Sequence, residues 1–339
     1  MQDVLVTGGA GFIGSHFVKR LLAAGDIAHV TVLDALTYAG SRENLGDAFL
    51  SPKLSFIEGS ILDAGLVAEL VAAHTAVVHF AAESHVDRSF FDAGNFLATN
   101  VLGTQVLLEA AKDSPGLRRF VHVSTDEVYG PLPDGSASES APLAPSVPYA
   151  ASKACADLVA LSYWQTYGVP VSITRSSNNY GPGQHPEKMI PHSVTSLLKG
   201  GTITLHGHGQ HVRNWVHVTD NCAGIDLVLR AGTPGEVYNI AGTTELANRD
   251  LAALILDACG AGRDRVEYVP DRQANDLRYS MDWRKTAALG YQPDISFSDG
   301  LAETVEWYRD NPGRWAPLLR NPQARLPRIS LATTGKAAS

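Results

Sequence analysis

The sequence predicts an α/β fold: a doubly wound parallel sheet with helices on both faces, followed by a smaller C-terminal α/β substrate domain. Three observations predict it. Short β-branched runs recur along the first half of the chain with helical patterns between them. Those runs are almost wholly apolar, as strands covered on both faces must be. A glycine-rich turn follows the first run at once and opens a helix. The chain has 339 residues, 45% hydrophobic and 18% charged, a balance that excludes collagen-like, coiled-coil and disordered classes. No run of 18 apolar residues predicts a membrane span. The charge arithmetic, 27 − 35 = −8 with no basic run, argues against a nucleic-acid partner.

Taken in order, Val4, Leu5 and Val6 form the first strand, and Phe17, Leu21 and Leu22 recur at helical spacing after the glycine turn. Further apolar runs place strands at 30–33, 54–57, 76–80, 120–123 and 171–174, with helical patterns over 66–73 and 101–111 between them. Pro182, Gly183, Pro186 and Pro191 then break the rhythm. Shorter elements are expected at 190–199, 202–206, 219–230, 248–258 and 299–310. The reading is a dinucleotide-binding domain over 1–176 with a return segment near 215–240, and a second domain mainly over 177–325. The polar, aperiodic stretch 326–339 is expected to be disordered. Cys155, Cys222 and Cys259 are odd in number and form no CxxC pair or disulfide framework, which fits a reduced, cytoplasmic compartment. No signal peptide is visible at the start.

Gly9, Gly11 and Gly14 form G-x-G-x-x-G between a strand and a helix, the Rossmann-type context in which backbone approaches a pyrophosphate at a helix N-terminus. Asp34 ends the second strand twenty residues on, where a carboxylate holds an adenosine ribose hydroxyl and repels a 2′-phosphate. The next residue is Ala35 rather than Arg, so the cofactor expected is NAD rather than NADP.

Tyr149 and Lys153 lie four apart at a helix start and share one face. A nearby ammonium favours phenolate and pulls the tyrosine down towards neutrality, making a general base for a hydroxyl. The same spacing also fits a surface tyrosine beside a solvated lysine. Ser124 closes the fifth strand, and Asp126 and Glu127 follow it, at the strand end where open α/β sheets bind ligands. Two adjacent acids there supply an acid and a base, or are simply solvated.

With these segments in place, the chain resembles the extended short-chain dehydrogenases/reductases, and within them the dTDP-glucose 4,6-dehydratase branch. The matching residues are Thr7 to Gly14, Leu36 to Gly40, Phe80 to Ser89, Ser124 to Gly130, Tyr149 to Lys153, Ser177 to Pro182 and Pro186 to Lys188. The Thr125-Asp126-Glu127 triplet is the specific part. The resemblance implies dTDP-glucose as substrate, with catalytic roles for Thr125, Asp126, Glu127, Tyr149 and Lys153. It implies NAD contacts from Gly8, Gly11, Phe12, Ile13, Gly14, Asp34, Leu36 and Thr37. Ser60, Ile61, Phe80, Ala81, Ala82, Ser84, Thr99, Ser124 and Asn178, with Tyr149 and Lys153, complete that set. For the nucleotide sugar it implies His85, Thr125, Asn179, Lys188, Met189, Thr204, His206 and Arg213, with Asn248, Arg272, Asn275 and Tyr279. A homodimer through the helical stretches 95–111 and 150–167 is expected on the same ground.

The chain departs from the family pattern in three places. Thr204-Leu205-His206-Gly207 replaces Pro-Ile-Tyr-Gly, Ala274-Asn275-Asp276 replaces Gly-His-Asp, and Gly59-Ser60-Ile61 replaces Gly-Asp-Ile. These touch affinity and nucleotide choice rather than the reacting set. His206, His208 and His211 read as incidental loop histidines, and no metal is expected. The competing readings are another nucleotide-sugar dehydratase, epimerase or decarboxylase, for instance on a UDP-sugar, and a non-catalytic NAD-binding protein.

Overall fold

The structure, a computed structural model, describes residues 2–272 and 274–320. The expected disordered stretch 326–339 lies outside the described residues. Twelve strands are found among them: β1 (Gln2–Thr7), β2 (Ile27–Asp34), β3 (Leu54–Glu58), β4 (Ala76–His79), β5 (Arg119–Thr125), β6 (Val171–Ser176), β7 (Asn178–Tyr180), β8 (Ile203–His206), β9 (Val212–His217), β10 (Val237–Ile240), β11 (Thr244–Ala247) and β12 (Val266–Val269). Seven form one parallel sheet in the order β10-β6-β5-β4-β1-β2-β3.

The two-residue side-chain period of β1 explains why both faces are apolar. Val4 and Val6 join one core with Phe17, Leu21, Ile225 and Leu229, from helices Phe12–Ala23 and Val218–Ala231. Leu5 joins the other with Val67, Leu107 and Ala160, from helices Ala64–Ala72, Gly103–Lys112 and Pro148–Tyr167. The sheet therefore has no solvated face, and its ligand surface is left at the strand ends. Helix Val218–Ala231 and β10 come late in sequence but belong to this sheet.

The second unit is built from β7, β9 and β11 in one small sheet, β8 and β12 in another, and helices Met189–Leu198, Asn248–Cys259 and Phe297–Asp310. Tyr180, Ile190, Trp215, Leu251 and Tyr308 form its core.

One helix differs from expectation. The pattern from Val101 is regular α-helix only from Gly103, and Leu97–Leu102 is wound as a π-helical turn. The wider turn carries Asn100 inward, where its amide donates to the Glu83 carbonyl at 3.0 Å and to Ser152 Oγ at 2.8 Å, and accepts from Glu83 N at 2.8 Å. Such turns recur at functional sites, and this one ties the loop after β4 to the helix bearing Tyr149.

Candidate active site

The first part of the site grows from the end of β1. Gly8 has φ +70°, and a Cβ there would lie 2.5 Å from Ala81 N; a Cβ on Gly14 would lie 2.2 Å from Gly8 O. No side chain fits either position, so backbone lies bare before helix Phe12–Ala23. That helix starts at Gly11 without a side-chain cap, which leaves its first N–H groups for an anion. Asp34, 8% exposed, takes Ala10 N on Oδ2 and Leu36 N on Oδ1, both at 2.9 Å. Each oxygen keeps a lone pair, and burial raises the carboxyl above its usual range. These features fit a dinucleotide with a free ribose diol.

The remaining expected cofactor residues surround this cradle. Phe12 and Ile13 begin the helix, and Thr37 is exposed beyond Leu36. Ser60 caps the turn through Leu62 N, and Ile61 packs on Gly103. Phe80 stacks near Phe17, and Ala81 N donates to Thr7 Oγ1. Ala82 and Ser84 follow in the same loop, and Thr99 sits in the π-turn. The Ser124 hydroxyl and the Asn178 side-chain carbonyl are buried without a partner among the described residues.

The reacting groups come from β5 and the helix Pro148–Tyr167. Pro148 at the first helical position fixes that start, one residue before Tyr149. Lys153, 4% exposed, donates from Nζ to Val123 O at 2.8 Å. Burial lowers its ammonium to about 8, against the pull of Asp157. The Tyr149 phenol is pushed up, by burial first and then by Glu127, while a hydrogen bond with Thr125 opposes this. The sequence argument expected the lysine to bring the phenol down. The difference arises first from burial of the phenol, and the carboxylates of Glu127, Asp126 and Asp157 add to it.

Beyond Thr125 the chain turns into a short 3₁₀ segment, Asp126–Tyr129, capped by Thr125 Oγ1 accepting from Glu127 N at 3.3 Å. Asp126, 3% exposed, is raised to about 7 by burial and by Glu127. Its Oδ1 accepts from Thr125 Oγ1 at 3.2 Å, and its Oδ2 is buried with no partner among the described residues. Glu127 is also raised by burial, but Arg213, Lys188 and Arg272 all favour its charged form. Asp126 thus faces a neighbouring carboxylate and one cation, Arg213, while Glu127 faces three cations and one carboxylate, Asp276, an arrangement that separates an acid from a base.

A cleft between the two units is lined by Glu127, His85, Asn178, Lys188, Met189, Arg213, Asn248, Arg272, Asn275 and Tyr279. Lys188 Nζ donates to Ser84 O at 2.7 Å, which fixes the ammonium across the interdomain gap. The Arg213 guanidinium lies 4.5 Å over the Tyr279 ring and donates to Asn275 Oδ1 at 3.3 Å. Asn275 in turn donates to Asp271 at 2.8 Å. Burial and four neighbouring basic groups hold His85 neutral. Thr204, His206 and Asn179 stand outside this lining: Thr204 is on β8, His206 contacts Pro270 O at 3.2 Å, and Asn179 donates to Ser177 O at 3.0 Å. His211 meets Asp271 at 3.3 Å, a carboxylate that the local sequence does not show. Among the described residues no cluster of three or more His, Cys, Asp or Glu is placed to hold a metal ion.

The cleft also takes Asp87, Glu187 and Asp276, which sequence reasoning did not assign. Glu187 lies 3.3 Å from Arg88 and 3.7 Å from His85, and Asp87 lies 3.0 Å from Arg272. For Asp87 and Glu187 the one signal was adjacency to a cation in sequence, as in Glu187-Lys188; Asp276, between Asn275 and Leu277, carries none.

Similar proteins agree with this geometry. A dTDP-glucose 4,6-dehydratase of an Actinoplanes species is 54% identical over 321 residues, covering 93% of this chain and all of its own. The crystal structure of DesIV, a dTDP-glucose 4,6-dehydratase from Streptomyces venezuelae with NAD and dTDP bound, matches at TM-score 0.92 and 57% identity, covering 93% of this chain and 99% of its own. A UDP-glucuronic acid 4-epimerase from Bacillus cereus matches at TM-score 0.86 but only 28% identity, covering 91% and 99%. The family model described as GDP-mannose 4,6 dehydratase matches residues 5–304. A Rossmann-type sheet, a cradle shaped for NAD and a match over most of the chain lead to one conclusion: this protein belongs to the GDP-mannose 4,6 dehydratase family, within the extended short-chain dehydrogenases/reductases.

Proposed function

We propose that the chain is a dTDP-glucose 4,6-dehydratase, a lyase that converts dTDP-glucose to dTDP-4-keto-6-deoxyglucose and water. The observation that carries this reading is the Asp126–Glu127 pair beside Tyr149, with the first carboxyl raised to about 7 and the second surrounded by cations. Gly8, Gly11, Gly14 and Asp34 would hold NAD, which when bound accepts hydride from C4 and returns it to C6. Tyr149, as the phenolate that the Lys153 ammonium on the same helix face favours, takes the proton of the 4-hydroxyl, and Thr125 hydrogen-bonds the 4-oxygen. The 4-keto group makes the C5 hydrogen acidic; Glu127 removes it as a proton and gives that proton back to C5 when C6 receives hydride. Asp126, protonated, gives its proton to the leaving 6-hydroxyl. Lys188 and Arg213 grip the diphosphate, the guanidinium forking onto phosphate oxygens.

Two further parts of the reading have their own support. Leu97 is 50% exposed and Leu158 58% exposed on adjoining helices, and Leu102 and Tyr167 are also exposed there, an apolar face suited to a homodimer. Three free thiols suit a cytoplasmic enzyme.

The test is incubation with dTDP-glucose and, separately, UDP-glucose, reading the nucleotide sugar by mass. A 4-keto-6-deoxy product one water lighter, formed faster from dTDP-glucose, is expected. Conversion to an isomer of unchanged mass would identify an epimerase instead.

A further inference from the structure

Behind the Tyr149–Lys153 face lies a buried set of ionisable groups that the reaction itself does not touch. Asp157 is one helical turn beyond Lys153 and two beyond Tyr149, so all three share the face turned to the sheet. The Asp157 carboxylate is fully buried. Its Oδ2 accepts from Arg175 Nε on β6 at 2.8 Å, and its Oδ1 lies 3.3 Å from His122 Nε2 on β5. Arg175 is held in turn by the Tyr129 hydroxyl at 2.9 Å, with its guanidinium 4.7 Å over that ring.

The groups around Lys153 can be taken element by element. On its own helix are Tyr149 and Asp157. From β5 come the Val123 carbonyl and His122, and beyond β5 come Asp126 and Glu127. β4 supplies His79, whose ring is 5.3 Å from that of His122, and β6 supplies Arg175. Burial keeps both histidines neutral: His122 is lowered to about 4, and His79, bonded to Thr7 and Thr104, falls well below its ordinary value. On the sheet side this leaves one anion, Asp157, and one cation, Arg175. Among the described residues Lys153 has a single hydrogen bond, to an uncharged carbonyl, so Asp157 is the group that offsets the burial of its charge.

We propose that Asp157, held between Arg175 and His122, is a positioning residue that keeps Lys153 in its ammonium form and thereby sets the alkaline limit of C4 oxidation. The proposal rests on the dehydratase reading above. Lys153 shares a helix face with Tyr149, four residues away, so its positive charge favours the phenolate, and oxidation is lost as it deprotonates, above about pH 8. Removing the anion lowers that limit. Removing Arg175, which shares the same carboxylate, leaves more of its field for Lys153 and raises the limit.

The experiment follows reduced-nicotinamide absorbance in a single turnover of the holoenzyme with dTDP-glucose from pH 6 to 10. Asp157→Asn should move the alkaline limb down by about one unit or more, and Arg175→Gln should move it up. Asp157→Glu should restore the limb towards wild type. A purely structural role would lower the rate or the melting temperature without moving the limb, and an unmoved limb in both variants overturns the proposal. If Asp157→Asn does not fold, the upward shift in Arg175→Gln decides alone. Absence of any reduced nicotinamide in the wild type would instead defeat the dehydratase reading.

Discussion

Replacing Asp126 by Asn should separate oxidation from elimination, and the structure sets the size of the effect. Asp126 is raised to about 7, so at neutral pH about half of it carries the proton that the 6-hydroxyl needs, and each unit above removes about tenfold. Wild-type elimination should therefore weaken from pH 7 to 9. In Asp126→Asn the acid is absent at every pH, and water loss should fall about 10²–10⁴-fold. The base for the first step, Tyr149, is on another element, and the amide keeps the shape of the carboxyl. C4 oxidation should persist, and reduced nicotinamide should accumulate on the enzyme as 4-keto-6-deoxy product drops. Glu127→Gln should accumulate it too, because it removes the base for C5. Tyr149→Phe should lose both signals. Stopped-flow absorbance with product analysis by mass reads all three variants. Near wild-type turnover in Asp126→Asn or Glu127→Gln would refute the assignment, as would comparable nicotinamide reduction in Tyr149→Phe.

Other outcomes follow from the same groups. Because burial raises Asp126 in the folded protein, its ionisation costs stability as pH rises from about 4 through 7; Asp126→Asn should escape this, gaining up to about 4 kcal/mol at pH 8. A melting temperature no higher than wild type in the substrate-free protein at pH 8 would contradict it. Asp34→Asn should weaken NAD about tenfold or more by removing a charge-assisted acceptor, while wild type binds NAD far better than NADP; titration calorimetry showing equal affinities in wild type would contradict this. Leu102→Glu with Leu158→Glu should shift the protein to monomer in sedimentation, since each places a charge on the exposed apolar face.

What was legible in the sequence was local. The strands around Val4–Val6 and Val30–Leu33, the glycine turn, Asp34 at a strand end and the Tyr149–Lys153 spacing are all set by periods of two, three or four residues, which short segments express by themselves. Tertiary structure decided the rest. The π-turn at Leu97–Leu102 exists because Asn100 finds partners in the β4 loop and at Ser152, neither of which its own segment contains. Thr204 and His206 were implied as pocket residues by the family resemblance, and on β8 neither is among the residues lining the cleft. Asp126 and Glu127 are neighbours with the same chemistry, and only folding gives them different surroundings, by bringing Lys188 and Arg272 to the second while Arg213 acts on both. The same holds for Tyr149, raised first by burial and then by carboxylates rather than lowered by its lysine, and for Asp157, whose partners arrive from two strands. Backbone geometry is governed by nearest neighbours along the chain, whereas the free energy of a buried charge depends on every group and on the water excluded around it, and those are assembled only when distant segments pack.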